Sequence, residues 1–204
     1  MPRVSDAKEK LMSAARDLIW ESSYGATSVD DICAKADVRK GSFYYFFKSK
    51  SELEVAALEA DWQGKKALYN EIFSPTTPPL QRLGDFFDFA YRKQAEIQEK
   101  TGAVLGCPFC AVGSEVGRQD EPIREKVQEI TGLLAKYIES AIRDADAAGL
   151  IHAPDAQAKT RLLCAYFQGT LAQARIENNL ELIRGLKAGA FDLLGVQAAA
   201  KSAA

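Results

Sequence analysis

Apolar residues recur three and four positions apart along nearly the whole chain, and no stretch alternates over the length of a strand. That spacing lines up apolar side chains on one face of a helix, whereas a strand would need them at every second position. The chain is therefore expected to be all-α, with about nine helices. Over residues 5–23, Ala7, Leu11, Ala14, Ala15, Leu18 and Ile19 form one stripe, and Gly25 is the expected stop. Thr27 then stands where its hydroxyl would cap a short helix ending near Ala36, with Asp30 and Asp31 at the positive helix end. A turn at residues 37–39 leads to a second short helix ending near Phe47, and Ser49 and Glu52 have the spacing of a capping box opening a longer helix to about Ile72.

Beyond it, SPTTPP at residues 74–79 breaks the pattern, because proline lacks an amide donor and restricts the residue before it. Long helices are expected over 80–100 and 121–148, with a short one opening at Pro108, between Gly106 and Glu121. Two more fit residues 156–178 and 180–194, followed by an Ala-rich tail expected to fray.

At 204 residues the chain is long enough for one large domain or two smaller ones, given domains of about 100–200 residues. Its 47% hydrophobic and 26% charged residues are those of a chain that folds around a core. No apolar run reaches the roughly 18–20 residues of a membrane span, and residues 1–10 lack the apolar core of a secretory signal, so a cytoplasmic location is expected. In that compartment the four cysteines are expected to stay reduced.

A net charge of −2 does not announce a nucleic-acid partner, but its distribution does. RKGSFYYFFKSK, residues 39–50, carries Arg39, Lys40, Lys48 and Lys50 and no acid. It lies in the second of two short helices joined by a tight turn, the arrangement that lays its second helix in the major groove. The run GATSVDDICAKADVRKGSFYYFFKSKSEL resembles the signature of TetR-family regulators: the Gly-x-Thr start, the apolar spacing of Val29 and Ile32, the aromatic block Tyr44 to Phe47, and Lys50 to Leu53. The resemblance covers residues 7–59 and implies a three-helix DNA-binding head over 1–50, with a helical effector-binding and dimerisation domain over 51–204.

Phosphates can be gripped by cations and hydroxyls without reading sequence, which suits Lys50 at a helix N-terminus, Thr27, and the phenols of Tyr44 and Tyr45. The resemblance places phosphate contacts at the same positions. Base edges are read from the start of the recognition helix, by Arg39, Lys40, Ser42 and Tyr45, with Gly41 allowing close backbone approach. Arg39 occupies a slot where relatives often carry a Ser or Thr cap. Phe43 and Phe47 are expected in the core.

A single head buries little DNA surface, so symmetric pairing on a palindromic operator is expected. The resemblance places a dimer seam on the last two helices, which carry Leu162, Leu163, Tyr166, Leu171, Ile176, Leu182, Leu186 and Phe191. It also implies a cavity for a small-molecule effector. Trp62, Phe86, Phe89, Cys107, Phe109, Glu115, Tyr137 and Tyr166 are its candidate lining, although aromatics at helical spacing also serve simply as core. Glu115 would bind a cationic or hydroxylated effector, or pair with Arg118 or Arg92. Cys107-Pro108-Phe109-Cys110 sets a thiol at a helix start, where it would be acidified and open to thiol-based sensing, or else two small buried hydrophobes. Cys33 and Cys164 fall on apolar faces.

A different class of activity finds little support. His152, the only histidine, sits in a Gly/Pro-bounded loop with no nucleophile pattern, and neither a phosphate-binding glycine loop nor a metal motif is present. No enzyme activity, cofactor or metal is expected. A helical protein-binding adaptor, or an enzyme without recognisable motifs, is the alternative to a regulator released from DNA by an effector.

Overall fold

The computed structural model describes residues 4–196, where the helical period is realised as ten helices with no strand among the described residues. They are α1 (Val4–Glu21), α2 (Val29–Ala36), α3 (Lys40–Phe46), α4 (Lys50–Ile72), α5 (Pro79–Thr101), α6 (Pro108–Val116), α7 (Glu121–Ala147), α8 (Ala156–Glu177), α9 (Glu181–Arg184) and α10 (Leu186–Leu194). The expected last helix is divided at Gly185 into α9 and α10. The tail expected to fray lies outside the described residues.

The chain divides into two compact units, one of residues 1–65 and 108–131 and the other of residues 66–107 and 132–204. In the first, α2, α3 and α6 rest against α1. Its core includes Leu11, Ala15, Ile32, Phe43, Leu53 and Ile123, each with 0% exposure. Burying a Leu, Ile or Phe side chain stabilises a fold by about 1.5–3 kcal/mol, so this stripe outweighs the weak propensity of helices as short as α2 and α3.

Two local expectations are corrected. Helix α1 ends at Glu21, short of Gly25, where the Ser22 hydroxyl bonds back to the Leu18 carbonyl at 2.7 Å. The cap of α2 is Ser28, not Thr27: Ser28 Oγ accepts from the Asp31 amide at 3.1 Å and the Asp31 carboxylate accepts from the Ser28 amide at 2.8 Å. Those bonds from Ser28 hold the Asp31 carboxyl below its ordinary range. Thr27 has turned inward, its hydroxyl donating to the Ser23 carbonyl at 2.8 Å. Helix α2 closes on Asp37 in the left-handed region (φ 52°), and the turn delivers Arg39 as an N-cap without a side-chain bond, as its long basic side chain dictates. At the start of α4, Ser49 Oγ accepts from the Glu52 amide at 3.1 Å, while the Glu52 carboxylate reaches back to the Lys48 amide at 2.8 Å.

The second unit is ordered by buried polar side chains as well as by its apolar faces. Arg82 is 4% exposed and donates to the carbonyls of Thr77 (2.6 Å) and Pro75 (3.0 Å) and to Asp144 (2.5 Å), which fastens the proline-rich turn before α5. Gln94 bonds Gly106 in both directions, its amide to the carbonyl at 3.0 Å and its oxygen from the backbone N–H at 2.8 Å. Asn178 and Arg175 on the α8 side bind Val104 and Leu105 at 2.8 Å each, so the loop before α6 has its backbone groups satisfied from within. Gly189 of α10 lies under the Tyr166 ring, where an added Cβ would sit 2.1 Å from the phenol oxygen.

Candidate nucleic-acid interface

The candidate recognition surface is built on α3 by its division into two faces. Phe43 (0% exposed) and Phe47 (3%) are the anchors, the first with its ring edge against Tyr44 at 5.1 Å. The helical period then turns Tyr44 and Tyr45 outward, at 56% and 75% exposure, in a chain that buries most of its large apolar side chains. Exposed Arg39 and Lys40, half-buried Ser42 and exposed Gly41 share the N-terminal turn, and a Cβ on Gly41 would meet nothing within 4 Å. Two cations, a hydroxyl and two phenols are thus carried on one short helix and its N-cap, the chemistry that grips phosphates and reads base edges.

Lys40 Nζ lies 2.7 Å from Asp30 of α2, and that bond raises its pKa. Both partners are exposed and solvent screens such a surface pair, so a phosphate can replace the carboxylate at little cost. Cys33 beneath is buried, which pushes its thiol pKa up, first by desolvation and then by Asp30.

Lys50 and Thr27, both expected at phosphates, make contacts within the fold. Lys50 Nζ donates to the carbonyls of Tyr24 (2.7 Å) and Thr27 (2.8 Å) and lies 4.0 Å above the centre of the Tyr24 ring. Burial lowers its pKa, against the opposing pull of Glu115 and Glu54. Thr27 is 3% exposed, its hydroxyl is engaged with Ser23, and its amide points to the Tyr24 carbonyl at 3.4 Å. Both side chains are therefore turned into the corner between α1 and α2. The sequence marks a lysine at a helix start but cannot show that two carbonyls lie within its reach.

Residues 11–57 match the family model of bacterial regulatory proteins, tetR family, and residues 79–188 match that of the tetracyclin repressor-like C-terminal domain. The chain belongs to the TetR family. It is 30% identical over 192 residues to an HTH-type transcriptional regulator in the lacX 3′ region of Lactococcus lactis subsp. lactis, covering 93% of this chain and 91% of that one. It is 24% identical over 200 residues to the HTH-type transcriptional repressor NemR of Escherichia coli, covering 95% and 96%. The crystal structure of reduced NemR superposes with a TM-score of 0.80 at 20% identity, covering 95% of this chain and 99% of NemR. A TetR-family regulator from Agrobacterium tumefaciens reaches 0.85 at 20% identity, over 96% of this chain and 100% of that one. This TetR-family protein is thus a helix-turn-helix, DNA-binding transcriptional regulator.

The side chains expected to line an effector cavity are distributed over both units. Phe86, Phe89 and Tyr137 are brought together in the second, around Tyr69, whose ring centre is 6.3 Å from each. Tyr137 also donates its phenol to Asn70, and Phe86 stacks on Phe167 at 5.0 Å. Tyr166 is half-buried against Gly189, and Cys107 is half-buried immediately before α6. In the first unit Trp62 (3% exposed) and Phe109 (6%) are core residues, with Lys65 Nζ 5.3 Å from the Phe109 ring centre. Cys164 is half-buried, and desolvation pushes its thiol to about 11, in keeping with a structural role.

Of the two readings of Glu115, the arginine pair is not the one the structure forms. Glu115 pairs with backbone amides instead of an arginine, accepting from the N–H of Tyr24 at 2.8 Å and of Gly25 at 2.7 Å. A cleft of about 440 Å³ beside it is lined by Tyr24, Gly25, Glu115, Val116, Gln119 and Asp120. Glu54 of α4 carried no signal in the sequence. It is 3% exposed, one carboxylate oxygen meets no hydrogen-bond partner among the described residues, and burial raises its pKa to about 7, with Asp61 adding to the effect and Lys50 opposing it. His152 is exposed, and no group of three or more His, Cys, Asp or Glu among the described residues is placed to hold a metal ion. No helix among the described residues is long and apolar enough to cross a membrane.

Proposed function

We propose that this regulator is a cytoplasmic, non-enzymatic repressor that binds a palindromic operator as a homodimer and leaves it when a small-molecule effector occupies the body. The observation that carries the reading is the outward face of α3: Arg39, Lys40, Tyr44 and Tyr45 exposed over the anchors Phe43 and Phe47. Residues 1–50 act as the DNA-binding head and 51–204 as the effector and dimer domain. Tyr44 grips phosphate and Arg39, Lys40, Ser42 and Tyr45 face base edges, Lys40 also neutralising a phosphate, with Gly41 admitting the backbone. The naming of NemR as a repressor supports repression.

Dimer formation is supported by Leu162 (47% exposed) and Ile176 (77%), large apolar side chains on the surface of α8. The aromatic grouping of Phe86, Phe89 and Tyr137 favours an apolar or aromatic effector. The effector acts by binding the released conformation more tightly than the DNA-competent one, so effector and operator weaken each other by the same factor.

The test uses a duplex selected from a random library by the wild-type protein. Lys40→Ala should weaken binding across sequences and reduce the slope of log K against log salt by about 1, whereas Tyr45→Ala should cost about 1–3 kcal/mol at its own position. Unchanged affinity in both variants refutes the reading. A stable monomer in sedimentation at micromolar concentration refutes the dimer.

A second mode of release is supported by Cys107, half-buried at the entrance of α6, and by the redox state named for NemR. Its thiolate would add to an electrophile with loss of the thiol proton. Cys107→Ser should then abolish release by electrophiles that act on the wild type; full retention of that release rules the mode out.

A further inference from the structure

Helix α6, PFCAVGSEV, is small and apolar up to Glu115, the acid that reaches out of it to the DNA-binding head. Its two oxygens take the consecutive amides of Tyr24 and Gly25, at 2.8 and 2.7 Å. Two N–H groups converging on one ionised carboxylate make charge-assisted bonds, roughly twice as strong as neutral ones. The approach is close on both sides, because a Cβ on Gly25 would lie 3.1 Å from Glu115 Oε1.

The corner that Glu115 holds carries further ties. Lys50 at the start of α4 donates to the carbonyls of Tyr24 and Thr27, and the Thr27 hydroxyl returns to Ser23. Ser28, next in the chain, caps α2. Just past α6, Asp120 accepts the Ser51 hydroxyl of α4 at 2.8 Å and the Ile123 amide at 3.2 Å, and the Tyr24 phenol stands 3.5 Å from it. Both ends of the head's frame, the α1–α2 corner and the first turn of α4, are thereby bonded to acids of the α6 segment.

The cleft beside these acids suggests a site for a cation, but each carboxylate already has protein donors. The geometry instead points to Glu115 as a positioning residue, which holds the α1–α2 corner, and with it α2 and the recognition helix α3, in the orientation that reads DNA. This inference rests on the reading that α3 enters the operator.

The test uses the full chain in three variants and the duplex selected by the wild type. Glu115→Ala removes both acceptors, Glu115→Gln keeps one, and Gly25→Ala crowds the same bond from the opposite side. Amide exchange at Tyr24 and Gly25 in Glu115→Ala should rise about tenfold or more, with α5 and α8 unchanged, and duplex affinity should fall about tenfold. Glu115→Gln should be intermediate in both readouts, and Gly25→Ala should move both in the same direction.

Affinity within about twofold of wild type in Glu115→Ala overturns the inference, as does unchanged exchange at Tyr24 and Gly25. Equal loss of protection in α5 and α8 also overturns it, because Glu115 would then contribute only to global stability. Should the wild type enrich no duplex, operator binding by α3 is what fails, and exchange at Tyr24 and Gly25 still decides whether Glu115 holds the corner.

Discussion

Glu54 offers a test of how the core of the head is balanced. Its carboxyl is 3% exposed and has one oxygen without a hydrogen-bond partner among the described residues, with Lys50 one helical turn away as the opposing cation. Desolvation raises its pKa from 4.5 to about 7. Because the folded value lies above the unfolded one, the folded chain binds the extra proton between them. The stability this confers is fully present below pH about 4.5 and is lost as pH rises through about 7. At about 1.4 kcal/mol per unit, the whole loss is about 3 kcal/mol, of which about 2–3 kcal/mol falls between pH 5 and pH 8.5.

Glu54→Gln preserves the shape and removes the ionisation. All other titrating groups are common to both proteins, so the difference between variant and wild type isolates this one. Urea or thermal unfolding of the full chain at pH 5 and pH 8.5 should show the variant gaining on the wild type by about 2–3 kcal/mol at the higher pH, or roughly 4–12 °C in Tm. A difference that is the same at both pH values refutes the claim that the buried carboxyl is neutral in acid and strained in base.

Three further outcomes follow from local geometry. Lys50→Met loses the two bonds to the Tyr24 and Thr27 carbonyls and should cost about 2–3 kcal/mol in urea unfolding while leaving the salt slope of DNA binding unchanged, the reverse of Lys40→Ala. Ser28→Ala removes the cap of α2, should destabilise by about 1 kcal/mol, and should let the Asp31 pKa rise, which carboxyl NMR reads directly. Gly189→Ala places a methyl against the Tyr166 phenol and should cost about 1–3 kcal/mol, with partial recovery in the double variant with Tyr166→Phe, since the ring carbon beneath the hydroxyl stays 2.8 Å from the added Cβ.

Much of the architecture was legible because helices advertise their buried face at a fixed period. The stripe of Leu11, Ala14, Ala15 and Ile19, the anchors Phe43 and Phe47, and the uncapped Arg39 all stand in the structure as the spacing implies. Boundaries were less legible where several hydroxyls competed. The sequence points to Thr27 as the cap of α2, but Ser28, another hydroxyl next to it in the chain, takes that place while the Thr27 hydroxyl bonds the Ser23 carbonyl. The split at Gly185 between α9 and α10 likewise carries no break in the apolar pattern.

By itself, the sequence determined the helical class, the two short helices with their turn, and the basic and aromatic character of α3. Those properties depend on neighbours within a few residues, where side-chain chemistry and helical geometry suffice. The tertiary structure alone decided which polar groups face outward and which face the fold. Lys40 and Lys50 both open helices in the same basic run, yet Lys50 meets carbonyls from residues 24 and 27, and Glu115 meets amides some ninety residues away in the chain. A hydrogen bond forms with whatever lies within about 3 Å. That proximity is a property of the packed chain, which puts Lys50 and Glu115 to work in holding the head while Tyr45 is left outside.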